Sequence, residues 1–257
     1  MGFDKIILKI LNLIRKKNYQ NLETSKKISK ENAIKRKISK RTPSSKKTYL
    51  ILSGWYENKN PSILFRKRIL KSGDSYIFYE LSKKILSSRT EQVKEYMAEI
   101  RKEVIRDLKK IKNEKILIGT SLGGIPTLMI AKKEIVDYLI LLMPSDSLAK
   151  GVWKSIRTRK IRKDLIKQKI SLKKLEKIWK ELEPKNNLKN LENTKIIIFN
   201  SKSDLVIPYK RSQNLIKEMK KRNLKILVFT NKELGHYLTA IKIYMSKKIF
   251  KLVNRDF

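Results

Sequence analysis

Apolar residues along this chain follow two rhythms that change near residue 48. From there on, continuous apolar runs recur: YLIL at 49–52, YIFY at 76–79, KILI at 115–118, DYLILL at 137–142, KIIIF at 195–199 and KILVF at 225–229. Between them, apolar residues take helical spacing at 90–111, 122–133, 209–222 and 237–252. Runs that are apolar at every position, rather than at every second one, belong to strands covered on both faces. Their alternation with helices predicts an α/β architecture, a mostly parallel sheet of about six strands flanked by helices. The rhythm breaks over 146–190, where segments such as VWKSIRTRKIRKDLIKQ and SLKKLEKIWKELEP follow one another with no strand between. An insertion of that length between two strands is expected to be a helical cap.

Residues 1–47 read differently. Ile6, Ile7, Ile10, Leu11, Leu13 and Ile14 share one broad helical face, flanked by Lys5, Lys9, Arg15 and Lys16. ETSKKISKENAIKRKISKRTPSSKK follows, polar and basic, and closes on a Thr-Pro-Ser-Ser turn signal. The expectation is a basic helix, docked on the fold or loosely attached, then a solvated linker, with no strand before residue 48. Lys9 and Asn12 interrupt the apolar run, which is too short for a bilayer span and lacks a small-residue cleavage site. Ile6 also stands where a myristoylation signal after Gly2 requires Ser or Thr. A cytoplasmic protein is expected.

Composition narrows the chemistry. At 257 residues and 40% hydrophobic, the chain can bury a core for one domain with an appendage. Lys+Arg 63 against Asp+Glu 24 leaves a formal charge of +39. Such a charge suits a polyanionic partner, an anionic membrane or nucleic acid touching residues 1–47 weakly among them, because clustered cations release counterions. The cations are spread along the chain rather than gathered in one folded segment, which fits a composition bias better. Cysteine is absent, so disulfides, thiolate metal sites and a cysteine nucleophile are excluded. One histidine excludes a metal site built on several imidazoles from one chain, and no cofactor is expected.

Against that background, ILIGTSLGGIPTLMIA at 116–131 stands out. Gly119-Thr120-Ser121-Leu122-Gly123 matches G-x-S-x-G directly after a strand and before a helix. A nucleophile on such a tight turn takes a strained backbone, and glycines at 119 and 123 relieve the clash across it. A phosphate-binding loop is the competing use of such a turn, but no lysine follows the glycines and G-x-G-x-x-G is missing. A serine hydroxyl needs a base, and His236 lies in ELGHYLTA, after the last strand and before the last helix. An imidazole needs an orienting carboxylate, and IIIFNSKSDLVIPYKRS offers Asp204 just past the preceding strand, with Pro208 opening the next helix. LLMPSDSLAK offers Asp146 as a rival; the Asp-x-x-x-Pro spacing favours Asp204.

In strand order, and in the sequence Ser121…Asp204…His236 with each member past the carboxyl end of its strand, residues 48–257 resemble the α/β-hydrolase superfamily. The resemblance implies a serine hydrolase, esterase- or lipase-like, acting on a small-molecule acyl ester or thioester, with 146–190 as cap and 1–47 as an add-on. It also implies an oxyanion hole formed by the backbone N–H of Leu122 and a second N–H from LSGWYENKNPS, where Ser53-Gly54-Trp55 replaces the frequent His-Gly pair. Trp55 is the expected donor there, with Gly54 and Tyr56 as alternatives. In the cap, Trp153 and Trp179 are candidates to line an acyl pocket, while Lys150, Arg157, Arg159 and Lys160 read as a solvated face rather than an anion site. The alternative function is an inactive hydrolase fold that binds nucleic acid or anionic membrane through its basic surface.

Overall fold

The computed structural model describes residues 24–27, by backbone alone, and residues 33–55 and 62–254. Eight strands form one sheet: β1 (Thr24–Lys27), β2 (Ile34–Lys40), β3 (Lys47–Leu52), β4 (Ser75–Leu81), β5 (Glu114–Thr120), β6 (Tyr138–Leu142), β7 (Lys195–Ser201) and β8 (Ile226–Asn231). Their spatial order is β1-β2-β4-β3-β5-β6-β7-β8. Strands β3 to β8 are the apolar runs read from the sequence, and every pairing among them is parallel.

Alternate residues of these strands feed two cores. Leu50, Leu117, Leu139, Leu141, Ile196 and Ile198 face one layer of helices, formed mainly by α2 (Thr90–Leu108), α3 (Gly124–Ala131) and α7 (Tyr209–Lys221). Tyr49, Ile51, Ile116, Ile118, Ile140 and Phe199 face the other, formed by α1 (Ser62–Lys71), α8 (His236–Met245) and α9 (Lys248–Val253). A two-residue side-chain period with both faces buried is why these strands read as unbroken apolar runs. The 146–190 interval is helical, with α4 (Leu148–Lys154), α5 (Arg159–Lys167) and α6 (Leu172–Ile178) packed on the first core through Leu148, Val152, Leu165 and Leu175.

Two expectations are corrected here. The sheet has eight strands rather than about six, and it begins before residue 48. β1 pairs antiparallel with β2, and β2 pairs antiparallel with β4. β2 is IKRKISK, with no apolar run and no simple alternation. Its register shifts between Ile34 and Arg36, which turns the side chains over. Ile34 therefore joins the first core and Ile38 the second. Lys37 on this strand meets Glu103 at 3.1 Å and Asp107 at 2.5 Å on α2, and Asp107 accepts the Tyr79 hydroxyl proton at 2.6 Å. Burial, with the Asp107 carboxylate beside it, pushes the Tyr79 phenol well above its ordinary range. The apolar face at 6–14 lies outside the described residues.

If β2 is part of the core rather than a linker, Ile38→Ala lowers the unfolding free energy by about 2–4 kcal/mol. Urea denaturation measures this; a loss below about 0.5 kcal/mol, the range of surface substitutions, contradicts the packing.

Candidate active site

Ser121 follows the last residue of β5 and opens a single 3₁₀ turn, Ser121–Gly123, that runs into α3. Its φ of 52° puts it in the left-handed region, costly for a residue with a Cβ. The flanking glycines are required sterically. A Cβ on Gly119 would overlap Thr127 Oγ1 and come within 2.7 Å of the Gly124 Cα, and one on Gly123 would fall 2.5 Å from the Ser53 carbonyl oxygen. The latter contact shows how closely the chain beyond β3 crosses the serine turn. Thr127 Oγ1 donates to the Gly123 carbonyl at 2.6 Å and holds the turn from inside α3.

Two loops from the other half of the sheet meet each other, and Val206 and Ile207 of the first share a cavity with Ser121. Asp204 lies three residues past β7. Its Oδ1 accepts the N–H groups of Val206 and Ile207, each at 2.8 Å, and its Oδ2 lies 2.6 Å from His236 Nδ1. Asp204 and His236 are only 5% and 6% exposed, so the pair is shielded from water. A carboxylate only accepts, so Nδ1 carries the proton and Nε2 is left as the basic nitrogen. The His236 loop is stitched to the Asp204 loop. Lys202 N–H donates to the Asn231 carbonyl at 2.8 Å, Ser203 Oγ to the Lys232 carbonyl at 2.7 Å, and Ser201 Oγ to the Leu234 carbonyl. Asp146 has other partners: Arg211 Nε and Asn214 Nδ2 donate to it at 3.1 Å each.

All three positions lie past the carboxyl ends of parallel strands, at the same end of the sheet. Thr120 Oγ1, next to Ser121, is 2.6 Å from the hydroxyl of Tyr244 on α8, the helix that His236 begins. The structure hydrogen-bonds His236 to Asp204 but not Ser121 to His236; among the described residues the Ser121 hydroxyl has no hydrogen-bond partner.

Ser121 opens into a cavity of about 90 Å³. Trp55, Leu122, Ile125, Val206 and Ile207 line it, with Leu148, Val152 and Thr158 of the helical insertion and with Arg157 and Arg211. Trp55 is anchored by Nε1, which donates to the Lys83 carbonyl at 2.9 Å. Tyr56, the alternative donor, lies outside the described residues. The two tryptophans of 146–190 do not line the cavity. Trp179 is fully buried in the first core and donates Nε1 to the Thr90 carbonyl at 3.1 Å, while Trp153 packs against that core. Of the four cations of 146–190 read as a solvated face, Arg157 is exposed and also lines Ser121's cavity. Its guanidinium stands 4.7 Å from the ring centre of Tyr237 and donates to the Tyr237 hydroxyl. A charge run gives no signal that one of its exposed members also lines a cavity, and the Arg211–Asp146 clamp spans 65 residues.

The sequence profile of the uncharacterised protein family UPF0227 matches residues 77–247. Curated proteins return no match. Among solved structures, Est1E from Butyrivibrio proteoclasticus is similar over 91% of this chain and 100% of its own, with a TM-score of 0.63 and 12% identity. A Pyrococcus horikoshii acylaminoacyl peptidase is similar over 95% of this chain and 43% of its own, with a TM-score of 0.66 and 13% identity. The esterase Est2 from Thermogutta terrifontis is similar over 90% and 93%, with a TM-score of 0.58 and 14% identity. The chain has the α/β-hydrolase fold that its sequence resembles.

The two middle glycines are expected to respond oppositely to a methyl group. Gly123→Ala loses about 1–3 kcal/mol of stability through overlap with the chain beyond β3. Gly124→Ala, whose Cβ meets nothing closer than 3.7 Å, keeps its stability or gains up to about 1 kcal/mol. Thermal unfolding of both variants reads the difference, and equal losses contradict the close approach.

Proposed function

We propose a catalytic role for this chain, which belongs to the uncharacterised protein family UPF0227: a serine hydrolase that cleaves a carboxylic ester or thioester through an acyl-enzyme. Ser121 is the nucleophile, His236 the general base and Asp204 the group that orients it. The observation that carries the reading is the buried 2.6 Å contact of His236 Nδ1 with Asp204, made at the end of the sheet where a strained serine opens into a cavity.

The chemistry runs in two halves. Nε2 takes the proton from Ser121 Oγ as Oγ attacks the carbonyl carbon, and the resulting imidazolium is stabilised by Asp204. Collapse of the tetrahedral adduct breaks the bond to the alkoxy or thiolate group, which leaves with the proton from Nε2. Water then repeats the attack with Nε2 as base, releasing the carboxylic acid and restoring Ser121. A direct Ser121–His236 hydrogen bond is completed when substrate is bound, since such contacts are often loose in an empty site. The adduct's negative oxygen is stabilised by the backbone N–H groups of Leu122 and Trp55, each contributing about 3 kcal/mol. The placement of Trp55 on the cavity wall, beyond a segment that touches Gly123, supports the second donor. A cavity of about 90 Å³ is below the usual range of ligand pockets and favours a short acyl chain.

A fluorophosphonate probe is expected to label the wild type and spare Ser121→Ala. With 4-nitrophenyl esters of graded acyl length, kcat/KM falls as the chain lengthens. His236→Ala lowers kcat by on the order of 10⁶-fold and Asp204→Asn by on the order of 10⁴-fold. Labelling of Ser121→Ala, or hydrolysis indifferent to these substitutions, refutes the assignment.

A further inference from the structure

Two arginines line the Ser121 cavity, and their charge balance differs. Arg211 is compensated by Asp146 at 3.1 Å. Arg157 rests on Tyr237, which is neutral, and among the described residues no carboxylate lies within 4.0 Å of it. Tyr237 directly follows His236, and the two rings meet edge to face at 5.4 Å. A cation without a carboxylate partner is therefore carried by a residue that lines the cavity, one ring away from the imidazole. A guanidinium carries five N–H donors in a planar fork, and Tyr237 occupies only part of it. The shape and single charge of the free part suit a carboxylate, which a guanidinium grips through two parallel hydrogen bonds. A phosphate monoester, with about −1.5 to −2 charge, would call for more than one free cation.

We infer that Arg157 determines specificity, and that the substrates are short esters or thioesters carrying a carboxylate within reach of its guanidinium. This rests on the hydrolase reading above. It differs from a general pull of the +39 chain on anions, because that field is spread over the surface and screened by salt within about 10 Å.

Kinetics on two matched pairs test it. Mono-4-nitrophenyl glutarate against 4-nitrophenyl pentanoate carries the charge on the acyl side, and 4-acetoxybenzoate against its methyl ester carries it on the leaving group. Rates are taken above the Ser121→Ala background. In at least one pair, Arg157→Gln lowers the charged-to-neutral ratio of kcat/KM by about tenfold. Arg157→Lys keeps part of the ratio. Arg89→Gln, which removes a cation lining the neighbouring groove but not the Ser121 cavity, keeps all of it. A parallel loss for charged and neutral esters, no loss in either pair, or the same loss in Arg89→Gln overturns the inference. Calorimetric binding to Ser121→Ala reads the preference without turnover. Tighter binding of the charged ester, lost on adding Arg157→Gln, supports the inference even if no ester proves to be cleaved, and equal binding overturns it. Failure of hydrolysis and failure of charge selection are thus separate results.

Discussion

Bringing an imidazole from near the C-terminus against a carboxylate 32 residues away is the constraint on which the site depends. The sheet meets it by register. β7 and β8 run parallel with Ser201 opposite Asn231, so their following loops leave the same end of the sheet side by side. Parallel strands alone would leave those loops free to diverge, and the Lys202–Asn231, Ser203–Lys232 and Ser201–Leu234 bonds prevent it. Burying a carboxylate without partners is costly. Asp204 avoids that cost by accepting from two backbone N–H groups on one oxygen and from His236 on the other. The same bonds that keep the carboxylate in place fix the tautomer of the ring.

The serine side is held by contact rather than by hydrogen bonds to its hydroxyl. Glycines at 119 and 123 let β5, the start of α3 and the chain beyond β3 approach to distances that side chains would forbid. The strain at Ser121 is thereby carried by packing on three sides. The helical insertion at 146–190 contributes its own fastening. Asp146 and Ser147 at its entry are tied to Arg211 on α7, the helix that follows Asp204. The insertion and the carboxylate loop therefore share one support.

Much of this was readable from residue order because each feature rests on a local rule. Strands buried on both faces must be apolar at every position, so β3 to β8 declared themselves. G-x-S-x-G after such a strand encodes a steric need, and the bond between Asp204 and His236 rather than Asp146 follows the Asp-x-x-x-Pro spacing. What escaped depends on tertiary partners. IKRKISK becomes a strand only because a register shift sends Ile34 and Ile38 to opposite cores and α2 supplies acids for Lys37. SILFRKRILK forms α1 although half its residues are charged or polar, with Phe65 and Ile69 buried against the second core. Trp179 packs the core instead of lining the cavity, since aromatic residues in such an insertion serve equally to pack it down or to line a pocket. Arg157 is legible only once Tyr237 is seen beneath it.

His236 is the sole imidazole of the chain, so its ring signals in a nitrogen-15 NMR spectrum need no assignment. The account predicts a ring protonated at Nδ1 and unprotonated at Nε2. It also predicts that phosphonylating Ser121 shifts the Nε2 resonance and that Asp204→Asn disturbs the Nδ1 proton. A ring protonated at Nε2 and indifferent to both changes would show that the base and the nucleophile are not coupled, and the relay would not exist.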